Sequence, residues 1–210
     1  MSATLAEAPQ GPVRPKPVPR SERGPAPRRV VVGFGFWLFL LSDIIMFAAL
    51  FAAYAVLAHR TAGGPAGADL FDRRHTLIET ACLLASSGTC GLMTIAITLR
   101  RRGHVYAAAL ATLVLGAAFL ALEVSEFASL LDAGNGPDRS AFLSAFFALV
   151  GLHGLHVATG LAWLVVMALQ VATLGLRPLV IGRLSCFALF WHALDIVWIG
   201  VFTIVYLGAR

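Results

Sequence analysis

Five apolar stretches dominate this chain: Phe34–Leu57, Leu77–Leu99, Val105–Leu131, Ala141–Leu174 and Leu184–Leu207. Each is long enough to cross a bilayer, since about 20 residues at a rise of about 1.5 Å span the hydrocarbon core. Lipid offers the backbone no hydrogen-bond partners, so a spanning segment must satisfy its own N–H and C=O groups, which a helix does within one segment. The expected fold is therefore all-α, a polytopic membrane protein built as a bundle of five transmembrane helices. With 59% hydrophobic and 13% charged residues, the composition lies outside the soluble classes. The fourth stretch exceeds what a crossing needs, so it should tilt or project from the membrane.

Sixteen Lys and Arg stand against eleven Asp and Glu, a surplus whose placement argues against nucleic acid as a partner. Arg14, Lys16, Arg20, Arg23, Arg28 and Arg29 precede the first span, Arg100–Arg102 follow the second, and Arg177 and Arg183 follow the fourth. These eleven fall on one side; Arg60, Arg73, Arg74, Arg139 and Arg210 make five on the other. The positive-inside rule then places the N-terminus in the cytoplasm and the C-terminus in the periplasm of a bacterial inner membrane. Residues 1–30 hold seven of the ten prolines and no apolar core of a secretory signal, and read as a disordered Pro/Arg-rich tail able to touch anionic lipid. Pro65, Pro137 and Pro178 fall between the expected spans. Cys82, Cys90 and Cys186 form no ligand-type spacing and read as structural thiols. No internal repeat of the transporter kind is visible.

The informative residues are the ionisable ones inside these stretches. A charge at the bilayer centre costs at least about 2.5 kcal/mol, so such groups face other helices or a polar cavity. Asp43 lies roughly 13 Å along the first span, near mid-membrane, and reads either as a hydrogen-bonded packing acid or as a proton-exchanging group. Glu123 and Glu126 share one face of the third span, and His153 and His156 repeat that spacing on the fourth. A di-metal carboxylate bundle needs Glu-x-x-His on two helices; Glu-x-x-Glu and His-x-x-His do not match, and no metal site is assigned. Haem ligation by His153, His156 or His192 stays open in principle. His192 and Asp195 lie on one face of the last span, where a His–carboxylate bond within the helix is easy. Glu79 opens the second span and is expected at the interface, solvated and favourably placed at a helix N-terminus. Ala85, Ser86, Ser87, Gly88 and Gly91 on the second span and Gly151, Gly154 and Gly160 on the fourth predict close helix packing. Trp37, Tyr54 and Tyr206 read as interfacial anchors.

These residues sit in blocks that resemble a known family. Gly35-Phe-Trp-Leu-Phe-Leu-Leu-Ser-Asp43, Glu79-Thr-Ala-Cys-Leu-Leu-Ala-Ser-Ser87, Glu123-Val-Ser-Glu-Phe127, Ser144-Ala-Phe-Phe-Ala-Leu-Val-Gly-Leu-His-Gly-Leu-His156 and Phe190-Trp-His-Ala-Leu-Asp-Ile-Val-Trp198 are similar, in the same order, to subunit III of the haem–copper oxidases. Residues 61–71 and 135–140, between spans, resemble the cytochrome o-type ubiquinol oxidase branch. Five spans fit that branch, although some bacterial cytochrome c oxidases also carry a five-span subunit, and that alternative stays open. The resemblance covers about residues 33–210.

The resemblance implies a chain with no catalytic residues and no cofactor of its own, with haem and copper in the partner subunit I. It further implies direct packing on subunit I within a complex that includes subunits II and IV, and bound phospholipid in a cleft. Asp43 corresponds to the family's buried helix carboxylate, a glutamate in many cytochrome c oxidases that is tied to proton uptake and carbodiimide reactivity. Here the side chain is one methylene shorter. Glu123, Glu126, His153, His156, His192, Asp195 and Trp198 are expected to form a buried polar network rather than a proton conductor. An independent proton-coupled transporter would use the same acids but should show inverted repeats.

Overall fold

The computed structural model describes residues 28–64, 67–70 and 72–208. The tail expected to be disordered lies, through residue 27, outside the described residues. Five long helices follow: α1 (Arg28–Leu57), α3 (Arg73–Thr98), α4 (Arg102–Asp132), α5 (Ala141–Leu174) and α6 (Pro178–Val201), with a single-turn α2 (Gly67–Leu70) between the first two. A π-helical turn, Phe202–Leu207, extends α6. Among the described residues there is no strand, and all five long helices are apolar and long enough to cross a membrane.

Helix boundaries follow local chemistry more closely than they follow hydropathy. α3 starts four residues before the apolar stretch, because Asp72 caps it by accepting from Arg74 N at 2.9 Å. α5 begins at Ala141, where the Ser140 hydroxyl accepts from Leu143 N at 3.1 Å. α6 starts at Pro178 rather than Leu184: proline occupies the first turn, where its missing N–H costs no bond. Gly175 ends α5 with φ +68°, a conformation that favours glycine, and the Arg102 guanidinium packs over it.

α3 and α4 form the most extensive pair, an antiparallel hairpin. α6 packs on α3 and α5, α4 packs on α5, and α1 lies at the margin with its extensive contacts to α5 and α6. The outward face of α1 is apolar and open, including Val31, Phe34, Trp37, Ile44 and Ile45. The core is aromatic: Phe47, Phe119, Phe146, Phe187, Trp191 and Trp198 are fully enclosed. Trp191 reaches into the space left by two glycines: a Cβ at Gly116 or Gly160 would stand 2.9 or 2.8 Å from its ring. Gly154 makes room for the Glu123 carboxylate, and Gly151 approaches the ring of Phe127. By contrast Gly88 and Gly91, expected in the same kind of seam, have no neighbouring atom within 4 Å of where a Cβ would be. The close-packing face of α3 is that of Ser86 and Cys90, roughly half a turn away.

Candidate functional site: a buried polar interior

The bundle brings its polar residues into two groups. The first lies where α1, α5 and α6 meet. Asp43 Oδ2 on α1 stands 3.9 Å from His156 Nε2 on α5, with both side chains about one-fifth exposed. The other ring nitrogen, Nδ1, lies 2.8 Å from Leu152 O. A carbonyl only accepts, so Nδ1 carries a hydrogen, and in the neutral ring Nε2 presents a lone pair to Asp43. Direct hydrogen bonding needs a closer approach than 3.9 Å. A narrow cleft between α1 and α6 opens beside Asp43, lined by Leu40, Phe47, Phe190 and Val197.

His153, one turn earlier on α5, points elsewhere. It is fully buried, stacked on Trp198 at 5.2 Å and edge-on to Phe119 at 5.8 Å. Neither ring nitrogen has a hydrogen-bond partner. The sequence spacing thus puts the two histidines in separate surroundings, which removes them as a joint ligand pair. His153 is closed over by rings, His156 faces Asp43 and His192 Nδ1 is engaged by Ser87.

The second group joins α3 to α4 and α6. Trp198 Nε1 donates to Thr80 Oγ1 at 3.0 Å, and Trp191 Nε1 donates to Ser86 Oγ at 3.1 Å. His192 Nδ1 lies 2.7 Å from Ser87 Oγ, and Asp195 turns its carboxyl to the same hydroxyl. The expected bond between His192 and Asp195 is therefore replaced by two contacts across the helix interface. Both side chains are on one helix face, but that face meets α3, where Ser87 takes His192 Nδ1, while Asp195 Oδ1 stays without a hydrogen-bond partner. Further along, Tyr206 donates to Glu126 Oε2 at 2.8 Å, with Glu123 and Glu79 close enough to act on it electrostatically.

Three sequence expectations are corrected. Glu79 is fully buried rather than solvated; because α3 begins at Arg73, residue 79 sits in the second turn and faces α4 instead of the helix N-terminus. Tyr54 and Tyr206 are interior rather than interfacial, Tyr54 packing on Phe142 with ring centroids 6.0 Å apart. Trp37 is open. His75, Thr80, Ser86 and Ser87 take part in the polar interior without having been singled out as such. Spacings of four and seven residues put His75, Glu79 and Ser86 on one face of α3, the signal that could have found His75 and Ser86.

Among the described residues, no group of three or more His, Cys, Asp and Glu is arranged to hold a metal ion. The family model described as cytochrome c oxidase subunit III matches residues 26–209. The chain belongs to that subunit III family. Among curated subunit III proteins, it is 53% identical over 174 residues to the cytochrome bo(3) ubiquinol oxidase subunit 3 of Pseudomonas aeruginosa, covering 83% of each chain. With the protein of the same name from Pseudomonas putida the identity is 49% over 173 residues, 82% of this chain and 84% of the relative. The quinol oxidase subunit 3 of Bacillus subtilis is 42% identical over 176 residues, 82% of this chain and 85% of the relative. Family membership makes the chain a multi-pass bacterial membrane protein that works in a complex with other oxidase subunits. The polar interior described above is therefore that of a subunit III.

Proposed function

We propose that this chain is subunit III of a bo3-type ubiquinol oxidase, a complex that oxidises quinol, reduces oxygen to water and translocates protons. The observation that carries this reading is the 53% identity to a cytochrome bo(3) ubiquinol oxidase subunit 3 across the five-helix region. Relatives named quinol oxidase subunit 3 from distant bacteria favour quinol over cytochrome c as electron donor. The chain's part is accessory. Several of its buried polar side chains tie helices together, while haem, copper and the chemistry belong to subunit I, against which it packs directly, with subunits II and IV completing the complex.

Three features support the supporting role. Hydrogen bonds from Trp191 and Trp198 to α3 hold α6 in register, each worth about 0.6 kcal/mol on average in a membrane and up to about 1.7. The narrow cleft beside Asp43 is otherwise lined by apolar side chains, which suits contact with lipid at its mouth. Asp43 and His156 form the one carboxyl–imidazole pair near that cleft among the described residues, the arrangement to expect of a group that helps sustain proton uptake. The ends of the helices support a cytoplasmic N-terminus, with Arg100–Arg102, Arg177 and Arg183 gathered at one end.

Purification in mild detergent through a tag on this chain tests the proposal. Recovery of a haem-containing complex that oxidises ubiquinol, with subunit II lacking a dinuclear copper centre, is the expected result. Recovery of the chain alone with substrate-dependent proton flux would make it a transporter, and a copper-bearing subunit II would move it to the cytochrome c branch.

A further inference from the structure

At the end of the bundle that carries the C-terminus, α3, α4 and the π-helical turn enclose three carboxyl side chains that no role described above requires. Glu79 and Glu123 are buried to within 2% of their surface, and neither Glu79 oxygen nor Glu123 Oε2 has a hydrogen-bond partner. Glu126 receives the Tyr206 hydroxyl. The three carboxyls act on one another electrostatically. The opposing charges and polar groups are few. His75 on α3 and Asp72, its N-cap, bear on Glu126; the turn supplies Tyr206; α5 brings the backbone of Gly154 against Glu123; and α6 brings the Trp198 indole near Tyr206.

An ionised carboxylate closed off from water and without a donor is strongly unfavourable, and three acceptor atoms here are orphaned in this way. A proton is the ligand that resolves both faults: it removes the charge and turns an acceptor into a donor. The route in is also present. His75 lies one turn before Glu79 on α3, with its side chain 30% exposed, and its Nε2 is 3.3 Å from Glu79 Oε1. The same nitrogen is 3.3 Å from Leu122 O, which can only accept, so Nε2 carries the hydrogen of the neutral ring and Nδ1 is the free base.

We propose that Glu79, Glu123 and Glu126 form a proton-binding site inside the helix bundle, filled from the adjoining aqueous surface through His75. A proton from water binds Nδ1 to give the imidazolium. The Nε2–H, held at rest on Leu122 O, then turns to Glu79 Oε1 and passes to it while the ring keeps the proton on Nδ1, so one proton moves inward and no electrons change hands. The neutral Glu79 carboxyl can donate to a neighbouring carboxylate, which distributes protons among the three acids. The site stands apart from Asp43, and it does not depend on which electron donor the complex uses.

Infrared difference spectroscopy of the intact purified complex tests the site, whichever subunits accompany the chain. A carbonyl-stretch band of protonated carboxylic acid that moves down in D2O is expected, and it should lose intensity in both Glu79→Gln and Glu123→Gln. In His75→Asn the band should persist but exchange with D2O about 100-fold more slowly, the low end of what a positioned acid–base group contributes. An unchanged band in both glutamine variants would show that the cluster holds no proton. Exchange in His75→Asn at the wild-type rate would remove His75 as the entry. Since residue 75 is part-exposed, that variant keeps the test decisive even where a glutamine variant fails to assemble.

Discussion

Tyr206→Phe deletes one oxygen from a ring that is 2% exposed and withdraws the donor that stands 2.8 Å from Glu126 Oε2. Two contributions set the cost. The bond itself should be worth about 0.6 kcal/mol, the average for polar pairs between membrane helices. Glu126 is buried as well, and leaving a buried acceptor without its donor adds about 1–3 kcal/mol. The expected loss is therefore about 1.5–3.5 kcal/mol. Glu126→Leu removes the acceptor, and the double variant Tyr206→Phe/Glu126→Leu removes both partners at once. Replacing both with apolar groups of similar size is close to neutral, so the double variant should be more stable than Tyr206→Phe alone. Unfolding in mixed micelles of rising SDS fraction, followed by tryptophan fluorescence, measures all three; Trp198 lies 6.2 Å from Tyr206 and reports on the site. Strict additivity of the single changes, to within about 0.3–0.5 kcal/mol, would mean that the two side chains do not interact and would refute the account of this interior.

Gly160→Ala should cost about 1–3 kcal/mol in the same unfolding measurement, since the new Cβ would stand 2.8 Å from the buried Trp191 ring, whereas Gly88→Ala, on an open face, should be neutral or slightly stabilising. Asp43→Asn should leave the haem content of the purified complex intact, because the carboxyl is part-exposed and 3.9 Å from its nearest basic group; haem loss in the absorption spectrum would show that Asp43 holds the complex together and would remove the basis of its proton role.

The five crossings were legible because hydropathy integrates over many residues, and the spans survive errors at any one position. Their ends were not, because capping by Asp72 and the place of Pro178 in a first turn depend on single side chains outside the apolar run. Burial of Glu123, Glu126, His153 and Asp195 followed from the cost of charge in lipid. What each one touches did not follow. In a soluble helix, apolar and polar faces separate inside from outside; here lipid-facing and helix-facing sides are equally apolar, so Tyr54 and Tyr206 could not be told from interfacial aromatics. His192 and Asp195 show the same limit from another direction: spacing revealed that they share a face, and only the packing of α6 on α3 revealed that Ser87 stands between them and any mutual bond.

The marginal position of α1 bears on how the chain is made. During synthesis α1 enters the membrane first, yet its extensive contacts are with α5 and α6, the last helices to emerge. The α3–α4 hairpin can close as soon as its own two segments are inserted, while α1 must remain a solitary span in lipid, holding Asp43 without its histidine, until His156 arrives on α5. For that interval the aspartate stands in the membrane without its imidazole neighbour. A delay between α4 and α5 would lengthen the period during which the nascent chain is open to membrane quality control.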